Sequence, residues 1–170
     1  REALHRRTTD LEALLRVSEE LSNQIDVESL LPLLLVLTQD LMHNQVAALF
    51  YFDDQERLVE QYINKKSGEP FDGQIDVDLL RKHIHPSQAV TWSEETTPVL
   101  SDFSAGMAIG LSHSGQLHGV IALFSDQAYD DHDRRLFESV GRQATLALRN
   151  AELYKLKANY ADELEKTVGK

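Results

Sequence analysis

The sequence predicts an α+β domain: an antiparallel sheet with helices packed on one face and long helices at both termini. Three observations carry this. Strand-length runs rich in apolar, β-branched and aromatic residues come as two hairpin-like pairs, 46–52 with 57–64 and 106–113 with 117–124. A nearly all-apolar stretch over residues 30–42 has helical length. From Asp130 to about Thr167 no proline interrupts and only Gly141 weakens a helix. Those roughly 37 residues, at about 1.5 Å each, make a rod of about 55 Å. A body built from the ~125 residues before Asn150 is only about 36 Å across, for a radius of gyration of about 14 Å. The rod is longer than the body and must protrude.

Each element follows from local pattern. Residues 1–23 read as a helix in which Leu4, Leu11, Leu14, Leu21 and Ile25 fall on a 7-3-7-4 spacing, an a/d seam flawed by Thr8 and Ser18. A break follows at 22–24, with Asp26 an N-cap for a second helix to about His43. Its all-round hydrophobicity predicts burial on most sides. Pro32 is tolerated there if Ser29 is the true N-cap, which places it in the first turn. The hairpin 46–52/57–64 turns at Asp53-Asp54-Gln55-Glu56, and 64–73 is loop. Residues 76–85 make a short helix stopped by Pro86, 88–92 a short strand, and 93–103 an irregular polar segment. The second hairpin crosses Ser114-Gly115. In its second strand, Val120 to Phe124 are apolar on both parities, so both faces need cover. Asp130-Asp131-His132-Asp133 then open the long helix with carboxylates at its positive end.

That helix carries two stripes. Val140, Ala144, Ala147, Ala151, Tyr154, Ala158 and Ala161 follow a 4-3 alternation that suits the domain's own core. Leu146, Leu153, Leu156, Tyr160 and Leu164 form a second face, placed for a partner helix. The same pattern also fits one wide amphipathic helix in a monomer.

Composition removes several function classes. The 170 residues include no cysteine, which excludes disulfides, thiolate metal sites, cysteine nucleophiles and thioether-linked cofactors. A formal charge of −11 argues against nucleic acid or an anionic membrane as partner, since phosphate contacts need clustered Lys and Arg. No apolar run is long enough to span a bilayer and no signal peptide is present, and the initial Arg1 suggests a fragment of a longer protein.

The order of elements resembles that of a GAF domain, the small-molecule-sensing cousin of the PAS fold. So do Met107-Ala108-Ile109-Gly110-Leu111, the run from Gly115 to Leu123, Tyr129 with Asp133, Leu136 and Phe137, and above all Gln143 to Tyr154. The similarity covers about Leu21 to Tyr154 and lies in packing positions, which specify a fold better than a ligand. It implies a non-enzymatic, cytoplasmic regulatory module upstream of a histidine kinase first, or of a cyclic-dinucleotide enzyme, phosphodiesterase or transcription activator. The implied partition is an N-terminal helix over 1–21, a GAF body over 22–150 and a signalling helix over 151–170. The implied partner is a second copy, held through Leu4, Leu11, Leu14 and Leu21 and through Leu146, Leu153, Leu156, Tyr160 and Leu164.

Departures from the family are informative. Bilin-binding members carry an attachment cysteine and the methionine-sulfoxide-reductase branch needs cysteines, so a covalent bilin and that reductase chemistry are both excluded. The Asn-Lys-Phe-Asp-Glu motif of the cyclic-nucleotide phosphodiesterase type is absent. The cofactor is therefore unknown. Phe50, Tyr62, His83, Trp92 and Phe103 are the candidate pocket residues for a planar ligand, with His83 and Trp92 flanking the irregular lid; ordinary core is the competing reading of each. His83 and His85 stand two apart and cannot face one ion from one helix, so no metal site is expected. No catalytic triad or carboxylate pair is legible. A pocket filled by the domain's own side chains, leaving a dimerisation spacer, is the alternative to a ligand-binding sensor.

Overall fold

Apolar side chains at both parities of 46–52 and 120–124 need cover on both sides of a sheet, and the architecture supplies it. The computed structural model of the chain describes residues 12–21, 23, 26–85, 88–93 and 103–168. Leu4, Leu11, Ile25, Pro86 and the irregular segment over 94–102 lie outside the described residues. The elements are α1 (12–21), α2 (Val27–Leu41), β1 (Val46–Phe52), β2 (Leu58–Lys65), α3 (Val77–Lys82), β3 (Val90–Ser93), β4 (Ala105–His113), β5 (Gln116–Ser125) and α4 (Asp131–Val168). The five strands pair antiparallel in the order β2-β1-β5-β4-β3. Ser114 and Gly115, both at positive φ, close the β4–β5 hairpin as the sequence predicts, in the primed turn that matches strand twist.

The pleat divides the core in two. Ala47, Leu49, Met107, Ile109, Ile121 and Leu123 face α1, α2 and α4. Val46, Ala48, Phe50, Phe52, Val120, Ala122 and Phe124 face the opposite side, where Leu80 of α3 and Ile75 cover them. This is the predicted layout of helices on one face and an irregular cap on the other.

One local expectation fails in α2. Asp26, not Ser29, is the N-cap: its carboxylate accepts the Ser29 N–H at 2.7 Å. Pro32 therefore sits inside the helix, where its missing N–H leaves one carbonyl without its usual partner; its exposed position lets the ring point to solvent. Burial covers most sides of α2, as its apolar surface predicts, but leaves one side open. Leu30, Leu31, Leu34 and Leu35 are buried, but Val36 is 46% exposed and Leu33 and Leu37 are only half-buried.

The α4 rod runs 38 residues. Asp130 and Asp133 cap its start reciprocally: Asp133 N donates to Asp130 Oδ1 at 2.8 Å and Asp130 N to Asp133 Oδ2 at 3.0 Å. Gly141, the weak point in the sequence, is where the helix touches the sheet. A Cβ there would lie 2.8 Å from Ile109 Cδ1, so a larger residue would need the end of that side chain to shift. Phe137, Val140, Ala144, Leu148 and Ala151 are buried, whereas residues 153–166 are all exposed. The rod thus leaves the body just after Ala151. It runs opposite to α2, since Asp133 meets His43 beyond the end of α2 and Lys155 reaches Glu28 at its start, 4.0 Å away. The α1 helix joins it through Ser18 Oγ, which donates to Gln143 Oε1 at 3.1 Å.

Candidate functional site

Register decides which predicted pocket residues come together. Phe50 pairs across the sheet with Gln61, so it points to the cap face, where it is fully buried. Trp92 and Phe103 pack on the same face against Phe124, with ring centroids 5.8 and 6.5 Å away. The Trp92 indole lies flat on Gly106, where an added Cβ would fall 2.2 Å from the ring. Its Nε1 is sealed from solvent and meets no acceptor among the described residues. Tyr62 does not join them. It pairs with Leu49 and so stands on the helix face, donating to Glu60 Oε2 at 2.6 Å. His83 is also misplaced by the sequence reading. It ends α3 exposed to solvent, with its ring Nδ1 2.9 Å from Leu79 O. The cap-face candidates reduce to Phe50, Trp92 and Phe103. Among the described residues no three His, Asp or Glu side chains gather as a metal site.

The helix-face candidates divide in a different way. Leu21, assigned from its spacing to a partner seam, is 2% exposed inside the chain's own core, together with Val17, which the spacing missed. Leu14 is half-buried, and the large apolar residue of α1 that faces outward is Leu15. On α4 the second stripe is open along its length: Leu146 is 60% exposed and Leu156 65%, with Leu153, Tyr160 and Leu164 exposed between and beyond them. The first stripe stays in the body only as far as Ala151; Tyr154, Ala158 and Ala161 are exposed. A groove of about 270 Å³, floored by Ile109 and Gly141, runs beside Leu146 and Arg142.

A third feature lies where α4 departs. Leu111 and Ser112 of β4 pair with Gly119 and Leu117, so His118 is an extra residue, a β-bulge. The bulge turns its ring to the helix face. There Nδ1 approaches Glu152 Oε1 at 3.3 Å, in a pair whose histidine is almost wholly buried. Beside it opens a cleft of about 470 Å³ between the β1–β2 turn, the start of α2 and α4. Tyr51 lines that cleft. Burial first, then the negative charge of Glu152, pushes its phenol up to about 12.

No sequence-family profile matches the chain, and no curated protein sequence does. Solved structures do. The GAF domain of an Acinetobacter phosphoenolpyruvate-protein phosphotransferase superposes with a TM-score of 0.63 at 12% identity, over 85% of this chain and 95% of that one. The fold is that of GAF domains. A free methionine-R-sulfoxide reductase from Neisseria meningitidis, solved with its substrate, matches at 0.65 and 11% identity, over 85% and 90% of the two chains. A segment of a methyl-accepting chemotaxis protein matches at 0.61 and 15%, over 82% and 98%. A GAF-like frame thus carries both an enzyme and signalling segments, and the fold by itself assigns no activity.

Proposed function

We propose that this chain is a sensory and regulatory GAF module that dimerises through α1 and α4 and passes a signal along α4 to an output domain, a sensor histidine kinase in the first instance. One observation carries the reading: α4 continues past Ala151 with Leu153, Leu156, Tyr160 and Leu164 exposed along it, a cost in water that a second copy of the helix relieves. Likeness to the phosphotransferase GAF domain and the chemotaxis segment supports a signalling role. In this reading residues 151–170 are the signalling helix, 22–150 the sensory body, and α1 adds Leu15 to the paired surface. The module is non-enzymatic and cytoplasmic, and with a charge of −11 it engages neither nucleic acid nor membrane. A cyclic-dinucleotide enzyme or transcription activator is the alternative output.

A second reading has its own support. Phe50, Phe52 and Phe124 are fully buried on the cap face with Trp92 and Phe103 packed onto it, which favours a spacer whose pocket its own side chains fill. Absorbance and mass spectrometry of the purified protein separate the two. A co-purified planar molecule that quenches Trp92 supports the sensor, and its absence supports the spacer.

The dimer is tested by light scattering. The chain is expected at twice its 19.3 kDa mass, and a Leu153→Glu/Leu156→Glu variant at the monomer mass. Equal masses would remove the helix interface. Transmission is tested in the intact protein. Seven residues inserted after Lys157 keep the phase of the seam, and two turn the downstream helix by about 200°. Regulated output is expected to survive the first insertion and to lock or invert with the second; wild-type behaviour from both would make α4 a tether.

A further inference from the structure

The last residue that α4 buries is Ala151, and the next one, Glu152, is the partner of His118. A hydrophobic strand interior is an expensive place for an imidazole, and only the bulge in β5 turns this ring toward the helix. The pair is also incompletely satisfied. Glu152 Oε1 is closed off from solvent, and at 3.3 Å from Nδ1 it lacks the alignment of a hydrogen bond. A buried carboxylate oxygen in that state is short of a hydrogen-bond donor.

The neighbours leave the pair to do this work. On α4, Arg149 lies close enough to favour the Glu152 carboxylate, while Lys155 is turned to Glu28 of α2 at 4.0 Å. From the sheet come the Tyr51 phenol of β1 and the carboxylates of Glu60 on β2 and Asp53 at the turn. The cleft side is therefore mostly negative, and among the described residues it is His118 that stands on the sheet side as a group able to bring a proton to Glu152.

We propose that His118 and Glu152 form a proton-operated latch that holds α4 to the sheet at its point of exit. With one proton in the pair, carried by either the ring or the carboxyl, the two groups can share it in a hydrogen bond within a site of low dielectric and fix the helix. Without it, a carboxylate stays buried beside a neutral ring, and the helix beyond Ala151 is released. The direction for Glu152 agrees. Burial raises its pKa, and the charges of His118 and Arg149 oppose that rise. A group raised in the folded state holds most firmly at low pH and loses its hold as pH increases, so the latch closes on acidification.

This rests on α4 being the output rod, and it is tested apart from that. Because the chain lacks cysteine, Asn159→Cys gives a single spin-label site on the cleft side of α4. The label is expected to be immobilised near pH 5 and mobile near pH 8, in one transition of single-proton steepness. His118→Gln is expected to abolish the transition and hold the mobile state, and Glu152→Gln to abolish it too. His43→Gln, which removes the imidazole at the far end of α4, is expected to retain it. Far-UV circular dichroism checks that each variant folds; if His118→Gln does not, Glu152→Gln carries the same test. A wild-type label indifferent to pH, or a transition that survives either change to the pair, overturns the latch. Failure of the dimer would leave this transition in place, and failure of the latch would leave the dimer mass unchanged.

Discussion

Replacing Gly106 by alanine puts the packing of the cap face to a direct test. The new methyl would fall 2.2–2.3 Å from three atoms of the Trp92 ring, over an ångström inside ordinary contact. No small adjustment relieves that, because the indole is a rigid plane and Phe124 stands against it. If the ring shifts within its site, overpacking costs about 1–3 kcal/mol. If it swings out, roughly 100 Å² of apolar contact at about 25 cal/mol per Å² is lost, about 2.5 kcal/mol. The aromatic contact with Phe124 adds about 0.5–1.5 kcal/mol. A destabilisation of about 1–3 kcal/mol is expected in the first case and about 3–4 kcal/mol in the second, a fall in Tm of roughly 2–15 °C for a chain of this size. Urea titration followed by circular dichroism measures the first quantity. Emission of Trp92, the sole tryptophan, should shift to the red as the ring meets water. A loss under about 0.5 kcal/mol with unmoved emission would show that Trp92 does not pack on the β4 backbone.

Two further outcomes are expected. Phe124→Ala removes a fully buried ring from the centre of the same face and should cost about 3–5 kcal/mol; a cost under about 1 kcal/mol would mean that face is open to water. Alkaline titration should find Tyr51 and Tyr62 ionising only near 12, the first through burial and the second through its hydrogen bond to Glu60. Because these phenols are raised in the folded state, their stabilisation is complete below about pH 10 and drains away as pH climbs toward 12. Tyr51→Phe should flatten that decline, and an unchanged profile would remove Tyr51 as its source.

Most of the sheet was legible because burial on both sides leaves a mark at every position. Val46 to Phe52 is apolar throughout, and its bounds in the structure are those the sequence suggests. The length of α4 was legible because an uninterrupted helix needs only the absence of breakers. What failed was phase. Whether Tyr62 shares a face with Phe50 depends on the register of β2 against β1, which places Leu49 opposite it; no count within one strand contains that. The bulge at His118 is likewise a property of two strands. In α1, a leucine spacing suited to an external seam proved partly internal, because Val17 and Leu21 together reach the core while Leu15 turns outward. The signal available was the four-residue step from Val17 to Leu21. In α2, an apolar surface on every side could not say which side would stay uncovered, and that side holds Val36.

The directions of the helices have a mechanical consequence. Ala13 and Val17 line a groove with Leu37 and Leu41, so α1 begins beside the end of α2 and runs opposite to it, as α4 also does. Chain therefore arrives at one end of the body through α1 and departs from the other through α4. A load applied between residue 12 and residue 166 passes through the body in series. It slides α4 along the sheet against the close contact of Gly141 with Ile109 and the contact of His118 with Glu152, rather than peeling it away from one edge. Sliding must break those contacts together, whereas peeling breaks them one at a time, so the body is set up to resist axial tension and to transmit it with little give.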